Sequence, residues 1–258
     1  MRVACVQLAP VLGDLAGNAA RAAAGIDAAD ADVVVLPELA LSGYAFASAE
    51  EARDGAVEPS FLGAWSRPGK VVVGGFAERA GDVLFNAAAV VDGSGVRAVY
   101  RKAHLWDREP AWFAAGSEEP PVVRTEHGRV AAIVCFDLFF PEWVRVAALR
   151  GAQLLCVPGN WPAAGGGEPP QLGRARVAAE ANAMAVALCD RWGEERGHTW
   201  AGATGIVAAD GSLVARAPGA VEALVTGDVT LRTDRSVLAA RRPELYGRIA
   251  RPDARGRP

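Results

Sequence analysis

Three residues with side chains capable of catalysis each follow an apolar stretch of the chain. Glu38 follows VVVLP, Lys102 follows VRAVYR and Cys135 follows VAAIV. Each has an ordinary structural explanation by itself: a surface or helix-capping glutamate, an exposed lysine at a strand end, and a buried core cysteine. However, a carboxylate that ends an apolar run is costly to bury without a partner, and strand ends in α/β proteins commonly meet at one edge of a sheet. The sequence therefore predicts that these three side chains converge.

A glutamate, a lysine and a cysteine at one site provide the groups that amide hydrolysis requires. The cysteine attacks the carbon while the glutamate accepts its proton, and the glutamate later protonates the departing ammonia. The lysine stabilises the negative oxygen of the tetrahedral intermediate, and the backbone N–H of Phe136 is a candidate second donor. The residue types therefore predict a hydrolase of carbon–nitrogen bonds that works through a thioester.

The secondary-structure signals predict an α/β protein. Seven short, apolar runs bounded by Gly, Pro and Asp are typical of strands in a sheet that is covered on both faces. The dipeptides Asp92-Gly93 and Asp210-Gly211 each stand between alternating apolar runs and predict two hairpins. Helices are predicted over residues 17–29, 141–150 and 171–187.

The pattern of strand, helix, strand and hairpin occurs once before residue 120 and again after it. This repetition predicts two similar βα layers packed as a four-layer αββα sandwich, in one domain over residues 1–258 with an extended tail from about residue 248. The clearest irregular segment is GNWPAAGGGEPP, residues 159–170. Its glycine- and proline-rich part, residues 163–170, is expected to be either a lid that sets specificity or a passive insertion.

The segments LPELALSGY, YRKAHLWDRE and VCFDLFFPE together resemble the three signature blocks of the nitrilase superfamily of carbon–nitrogen hydrolases. The flanking segments VACVQLAPVLGD, NWP and RRPELYG resemble the same family, so the likeness extends over nearly the whole chain. It implies the αββα sandwich and a catalytic triad of Glu38, Lys102 and Cys135. It also implies that Glu109 is an additional active-site glutamate that helps to position the substrate and Lys102.

Further residues are expected around this triad from the same resemblance. Glu142, in the block VCFDLFFPE, is interpreted as structural support that bonds near the nucleophile. The other residues expected to support or contact the substrate are Tyr44, Phe136, Leu138, Phe139, Asn160 and Trp161.

The residues after the cysteine favour one branch of the family. Cys135 is followed by Phe-Asp, which resembles the amidase and carbamoylase branches rather than true nitrilases. Branches that hold a substrate carboxylate tend to carry arginine where this chain has Leu138 and Phe139, and an apolar pair cannot clamp a carboxylate. A neutral or partly apolar amide is therefore expected, unless Arg174 or Arg176 provides the missing charge.

Composition and charge argue against several other classes. The formal net charge of the 258 residues is −3 and no block of Lys and Arg stands out before the tail, so a nucleic-acid partner has no electrostatic support. No apolar run approaches the about 18–20 residues of a membrane span, and the start MRVACVQLAP has too short an apolar stretch for a signal peptide, so we expect a cytoplasmic protein. The four cysteines and three histidines lack metal-ligand spacing. No nucleotide-binding motif occurs, and neither a metal nor a cofactor is expected.

Several alternatives remain at this stage. The enzyme could act on N-carbamoyl amino acids or amines, on a ureido compound or on a nitrile, or it could pass the acyl group to an amine and be an acyl- or amidotransferase. A catalytically silent binding scaffold is the alternative from another class. The family resemblance also implies a homodimer formed through a helical face, or a higher homo-oligomer.

Overall fold

The computed structural model describes residues 1–163 and 169–251. Its first half contains two helices and five strands, with a 3-10 segment over Pro59–Trp65. These elements are β1 (Arg2–Gln7), α1 (Leu15–Ala28), β2 (Val33–Val35), α2 (Ala49–Asp54), β3 (Val71–Ala80), β4 (Val83–Asp92) and β5 (Gly95–Arg101).

The second half repeats this plan and extends it. Short 3-10 turns occupy Glu109–Ala111, Cys135–Phe139 and Pro243–Leu245. The regular elements are β6 (Val122–Thr125), β7 (Gly128–Ala132), α3 (Pro141–Leu149), β8 (Leu154–Gly159), α4 (Pro170–Asn182), β9 (Ala185–Asp190), β10 (Trp192–Glu195), β11 (His198–Ala201), β12 (Gly205–Val207), β13 (Leu213–Arg216), β14 (Ala223–Asp228) and α5 (Ser236–Ala239).

Two six-stranded sheets of matching topology form the centre of the structure. The first has the order β14-β1-β2-β3-β4-β5 and the second the order β13-β12-β9-β8-β7-β6. In each, three parallel strands (β1, β2, β3 and β7, β8, β9) continue into an antiparallel hairpin. The predicted hairpins at Asp92-Gly93 and Asp210-Gly211 are these two, β4–β5 and β12–β13.

The first sheet buries both of its faces. Alternate residues of its strands point in opposite directions, as the pleat requires. Val33 and Val35 belong to the core that is shared with the second sheet, whereas Val34 packs in the outer core with Ala22 and Ile26 of α1. On the far side, α3 and α4 cover the second sheet through alanine-rich faces. The predicted four-layer α/β sandwich is therefore confirmed.

The helix boundaries correct two predictions. The first helix begins at Leu15 rather than at Gly17, because the side chain of Asp14 accepts the N–H of Gly17 and caps it. The helix predicted over residues 171–187 is wrong at its end. Ala183 adopts a left-handed conformation, with φ of 48°, and terminates α4. The following residues form β9, because an alanine- and valine-rich segment fits equally well into a central buried strand.

The sheets determine where the predicted reactive residues lie. Glu38 follows β2, Cys135 follows β7 and Asn160 follows β8, each at the carboxyl end of a parallel strand. Lys102 directly follows β5, which runs in the same direction as β2. No helix in the described ranges is long and apolar enough to cross a membrane.

Candidate active site

A lysine between two glutamates forms the charged centre of the site. The ammonium Nζ of Lys102 lies 2.8 Å from Oε1 of Glu38 and 2.7 Å from Oε1 of Glu109. The side chains of all three residues are buried. Burying one charge alone would cost several kcal/mol, and the close pairing offsets this cost. Glu38 and Lys102, two of the three residues expected to converge, are therefore in direct contact, and Glu109 joins them.

Glu38 keeps one carboxylate oxygen free. Its Oε1 accepts hydrogen bonds from Lys102 and from Nδ2 of Asn86, the latter at 2.7 Å. Its Oε2 is buried and has no partner among the described residues. Burial raises the pKa of Glu38 despite the opposing charge of Lys102, and the charge of Glu109 raises it further. This carboxylate can therefore take up a proton and release it again.

The backbone of Glu38 fits tightly against the neighbouring strand. A Cβ atom on Gly75 would lie 2.4 Å from Cα of Glu38, so β3 requires glycine at this point. The next residue, Leu39, has a left-handed φ of 49°. This close approach fixes the direction of the Glu38 side chain.

Glu109 is held from the other side by the segment that follows β2. The hydroxyl of Tyr44 donates to Oε1 of Glu109 at 2.6 Å, and the backbone N–H of Trp106 donates to Oε2 at 3.1 Å. Burial and the neighbouring carboxylates raise the pKa of Tyr44 well above its usual value. Tyr44 therefore stays protonated and acts as a hydrogen-bond donor.

Cys135 lies at a strained turn between β7 and α3. Its φ of 48° is left-handed, which is uncommon for a residue other than glycine and is typical of functional turns. Burial raises the pKa of its thiol, as does the charge of Glu38, while Lys102 and the backbone N–H of Asn160 act in the opposite direction. The resting thiol therefore keeps its proton until a neighbouring base removes it.

Asn160 and Trp161 are held beside the cysteine by a buried aspartate. The backbone N–H of Trp161 donates to Oδ1 of Asp190 at 3.0 Å. Burial raises the pKa of Asp190 to about 7, although the N–H groups of Ala203, Trp161 and Arg191 favour its charged form. The side-chain amide of Asn160 is buried and has no partner among the described residues, so it is available to a ligand.

A second buried carboxylate connects the cysteine and lysine segments. Oδ2 of Asp137 accepts the backbone N–H of Val134 at 3.0 Å and the hydroxyl of Tyr100 at 2.7 Å. Oδ1 of Asp137 lies 3.0 Å from the backbone nitrogen of His104 and 2.7 Å from its Nδ1. His104 therefore contacts the site through Asp137 and serves as a hydrogen-bonding partner.

An aromatic cavity of about 270 Å³ is lined in part by Tyr44 and Trp106, the two residues that donate hydrogen bonds to Glu109. The ring of Tyr44 packs edge-on against Trp200 at 5.1 Å and against Trp112 at 6.5 Å. Arg108 and Arg196 lie at its rim. Arg196 is bound to Glu51 and to the carbonyl of Ala45. The walls are thus mainly apolar, with charge at the opening.

The structure does not bring Leu138 and Phe139 to this cavity. Both line a groove between α3 and α4, because the turn Cys135–Phe139 leads the chain outward to α3. Arg174 lies in that groove, 3.8 Å over the ring of Phe139, and Nε of Arg176 donates to the carbonyl of Gly211. Arg174 and Arg176, considered as sources of a substrate-binding charge, therefore do not line the aromatic cavity.

Phe136 and Glu142, which were also expected near the site, have other surroundings. The ring of Phe136 lies 5.1 Å from that of Phe139 and 5.3 Å from that of Phe140. Glu142 is exposed in the first turn of α3 and makes no hydrogen bond within the described residues. The prediction that Glu142 bonds near the nucleophile was wrong, because this position of the helix points to solvent. Of the segment 163–170, residues 164–168 lie outside the described residues, as does the tail beyond residue 251.

Sequence patterns did not predict four residues that hydrogen-bond to the site: Asn86, Tyr100, Asp137 and Asp190. The signal for Asn86 was a polar residue inside an apolar strand, which needs a buried partner. Asp137 stands two residues after the predicted nucleophile but offered no sign of its partners. No group of three or more His, Cys, Asp or Glu side chains suited to hold a metal ion occurs within the described ranges.

Comparison with known proteins identifies the class to which this architecture belongs. A family model described as carbon–nitrogen hydrolase matches residues 2–237. The chain therefore belongs to the carbon–nitrogen hydrolases of the nitrilase superfamily, enzymes that act on carbon–nitrogen bonds other than peptide bonds.

Individual relatives agree with this membership. The chain is 35% identical to a protein called hydrolase in pqqF 5'region from Pseudomonas protegens, with 97% of this chain and 92% of the relative covered. It is 32% identical to a nitrilase of Pyrococcus abyssi, over 96% of this chain and all of the relative. Among solved structures, an amidase from Nesterenkonia sp. AN1 superposes with a TM-score of 0.82 at 29% identity, covering 96% of this chain and 99% of that one.

Proposed function

We propose that this enzyme hydrolyses amides to an acid and ammonia through a thioester on Cys135. The observation that carries the proposal is the buried Glu38–Lys102–Glu109 cluster beside a cysteine at a left-handed turn. It combines a free carboxylate oxygen, a fixed cation and a thiol that needs a base.

In the first half of the reaction, the Cys135 sulfur attacks the amide carbon and Glu38 accepts the thiol proton. The negative oxygen of the tetrahedral intermediate binds to Lys102 and to the N–H of Phe136. Glu38 then returns its proton to the nitrogen, the carbon–nitrogen bond breaks, and ammonia leaves behind a thioester.

In the second half, water attacks the thioester carbon while Glu38 removes one of its protons. Collapse of the new tetrahedral intermediate breaks the carbon–sulfur bond, and Glu38 returns the proton to the sulfur. The acid leaves, and the enzyme regains its thiol. Glu109 keeps Lys102 in place throughout, and is itself held by hydrogen bonds from Tyr44 and Trp106.

The solved structures of the Nesterenkonia amidase support the first element of this route, a nucleophilic cysteine. One of them contains the product of a Michael addition of acrylamide at the active-site cysteine, and another the acetamide moiety of fluoroacetamide attached to that cysteine. A double mutant of the same protein holds acrylamide in a complex. Small neutral amides are thus ligands of a similar site.

A neutral or partly apolar amide is the substrate class that we propose. The support is the aromatic wall formed by Tyr44, Trp112 and Trp200, together with the position of Arg174 and Arg176 outside the cavity. An apolar acyl group can pack against such a wall, whereas a carboxylate would have to lie at the rim, where Arg196 is already paired with Glu51 and Arg108 lies over Trp112.

A screen for ammonia release tests this function. The substrates are neutral amides, monoamides of dicarboxylic acids, N-carbamoyl amino acids and nitriles. We expect turnover of neutral amides above the other three classes. Preference for carbamoyl amino acids would leave the chemistry of Cys135 intact but contradict the substrate class. Hydroxylamine added to the assay reports acyl transfer as hydroxamate.

Replacing Tyr44 by phenylalanine tests the role of Glu109 in this scheme. The change removes the 2.6 Å hydrogen bond to a buried carboxylate and leaves the ring in place. Hydrogen bonds to charged groups contribute about 1.5–3 kcal/mol, so we expect kcat to fall about tenfold or more. Steady-state kinetics with a neutral amide measure this effect. An unchanged kcat would show that Glu109 does not depend on Tyr44.

The proposal extends to assembly and location. We propose a homodimer formed through α3, α4 and the C-terminal segment, since Leu149, Val177 and Ile249 are 49%, 67% and 59% exposed there. Leu149 and Ile249 line one groove of this face and Val177 lines a second groove that shares Pro141 and Arg145 with it. Exposed apolar surface of this kind is typical of protein contacts, and light scattering during size-exclusion chromatography measures the mass. We also propose a cytoplasmic location, where a catalytic thiol stays reduced.

A further inference from the structure

The carboxylate of Asp137 connects the two segments that carry the proposed nucleophile and the proposed oxyanion donor. Tyr100 and His104 lie two residues before and two residues after Lys102. Val134 and Asp137 lie one residue before and two residues after Cys135. All four hydrogen bonds to the Asp137 carboxylate come from these flanking residues.

The bond from Val134 closes the turn on which Cys135 stands. The N–H of Val134 donates back to Oδ2 of Asp137, across the cysteine. A left-handed φ at a residue other than glycine is strained and persists only where its surroundings hold it. The buried carboxylate of Asp137 supplies such a hold for Cys135.

The His104 ring is fixed on several sides. It stacks on Phe140 at 3.8 Å and meets Trp143 edge-on at 5.5 Å. Nε1 of Trp143 donates to the hydroxyl of Tyr100 at 2.8 Å. Because a carboxylate only accepts hydrogen bonds, Nδ1 of His104 is the donor to Asp137.

We infer that Asp137 and His104 are positioning residues. They hold the sulfur of Cys135 in the correct position relative to Nζ of Lys102 while the sulfur attacks the substrate. This inference rests on the proposed function. Asp137 and His104 touch neither the substrate nor the reacting atoms, and act by fixing the two segments against each other. A misplacement of about 1 Å in a reacting group lowers a rate by about 100-fold.

Asp137→Asn is the first test because it preserves shape. Whichever way the amide is turned, its NH2 group faces a backbone N–H, that of Val134 or that of His104. One of the two segments is then released. We expect kcat to fall about 100-fold while KM changes less than about threefold, since the cavity is untouched. A kcat within threefold of the wild-type value would overturn the inference.

A pair of histidine variants keeps the test valid if Asp137→Asn does not fold. His104→Leu removes the donor, whereas an asparagine in His104→Asn can place its NH2 group where Nδ1 lies. We expect kcat to fall about tenfold in His104→Leu, with most of this loss recovered in His104→Asn. Equal losses in both variants would show that the ring, and not its hydrogen bond, matters, and would overturn the inference for His104. His127→Leu, in the β6–β7 turn, is the matched control and should keep its activity.

Alkylation of Cys135 by iodoacetamide, followed by peptide mass spectrometry, gives a readout that does not depend on turnover. We expect labelling to be at least tenfold slower in Asp137→Asn than in the wild-type protein. Labelling at the wild-type rate or faster would overturn the positioning role. If the wild-type protein hydrolyses no amide, the proposed function fails, but the labelling ratio still decides this inference.

Discussion

Replacing Cys135 by alanine is expected to lower kcat by about 10⁴-fold or more while leaving the fold intact. Removing the nucleophile of a covalent mechanism leaves only the residual effects of binding and oxyanion stabilisation. The side chain is small and lies at a turn, so its loss creates little empty space. Ammonia release from a neutral amide at high enzyme concentration measures the residual rate.

Cys156→Ala provides the matched control for this variant. Cys156 is a fully buried thiol in the core of β8, away from the charged cluster. Its replacement is expected to lower the free energy of unfolding by about 1 kcal/mol through lost packing and to preserve kcat. Full activity of Cys135→Ala, or an equal loss in both variants, would contradict the assignment of the nucleophile.

Replacing Lys102 by methionine is expected to damage both stability and activity. The change leaves the carboxylates of Glu38 and Glu109 facing each other in a buried site without their shared cation. Breaking a buried ion pair on one side costs about 3–5 kcal/mol. Loss of the oxyanion donor adds a decrease of about 10²–10³-fold in kcat. Urea unfolding followed by circular dichroism measures the first effect and the ammonia assay the second.

A triple variant separates the two effects of the lysine. In Glu38→Gln, Lys102→Met, Glu109→Gln, neutral groups replace the whole charged cluster, so the uncompensated carboxylates are gone. We expect this protein to be more stable than Lys102→Met and to be equally inactive. If the single variant unfolds at the same urea concentration as the wild-type protein, then Lys102 does not balance the charge of the two glutamates.

Local sequence patterns singled out two of the three residues of the charged cluster, and the third, Glu109, was expected only from the family resemblance. Glu38 and Lys102 are ionisable side chains placed directly after apolar runs, and such residues need partners when strand ends are buried. Cys135 could be grouped with them because it also ends an apolar strand, but the expectation of one sheet edge was wrong, since its strand β7 belongs to the second sheet and Glu38 and Lys102 to the first. The repeated strand and hairpin pattern likewise predicted the two sheets, since Asp-Gly turns at residues 92–93 and 210–211 fix the register locally.

The remaining parts depend on contacts that are distant in sequence. Besides the nearby Val134, Asp137 binds Tyr100 and His104, which lie 37 and 33 positions away, and no local pattern indicates that these donors will surround it. The end of α4 could not be predicted because alanine and valine around Ala183 suit either a helix or a central strand, and the sheet decided between them. Glu142 was misplaced because its motif position does not reveal which side of α3 faces solvent.

Mass spectrometry of the enzyme, quenched in acid during turnover of a neutral amide, tests the central claim most directly. We expect an acyl group, equal in mass to the substrate less ammonia, on the peptide that contains Cys135. We also expect the adduct to be absent from Cys135→Ala and to be converted to hydroxamate by hydroxylamine. Hydrolysis that continues in Cys135→Ala, or an acyl group found on another residue, would contradict the thioester mechanism.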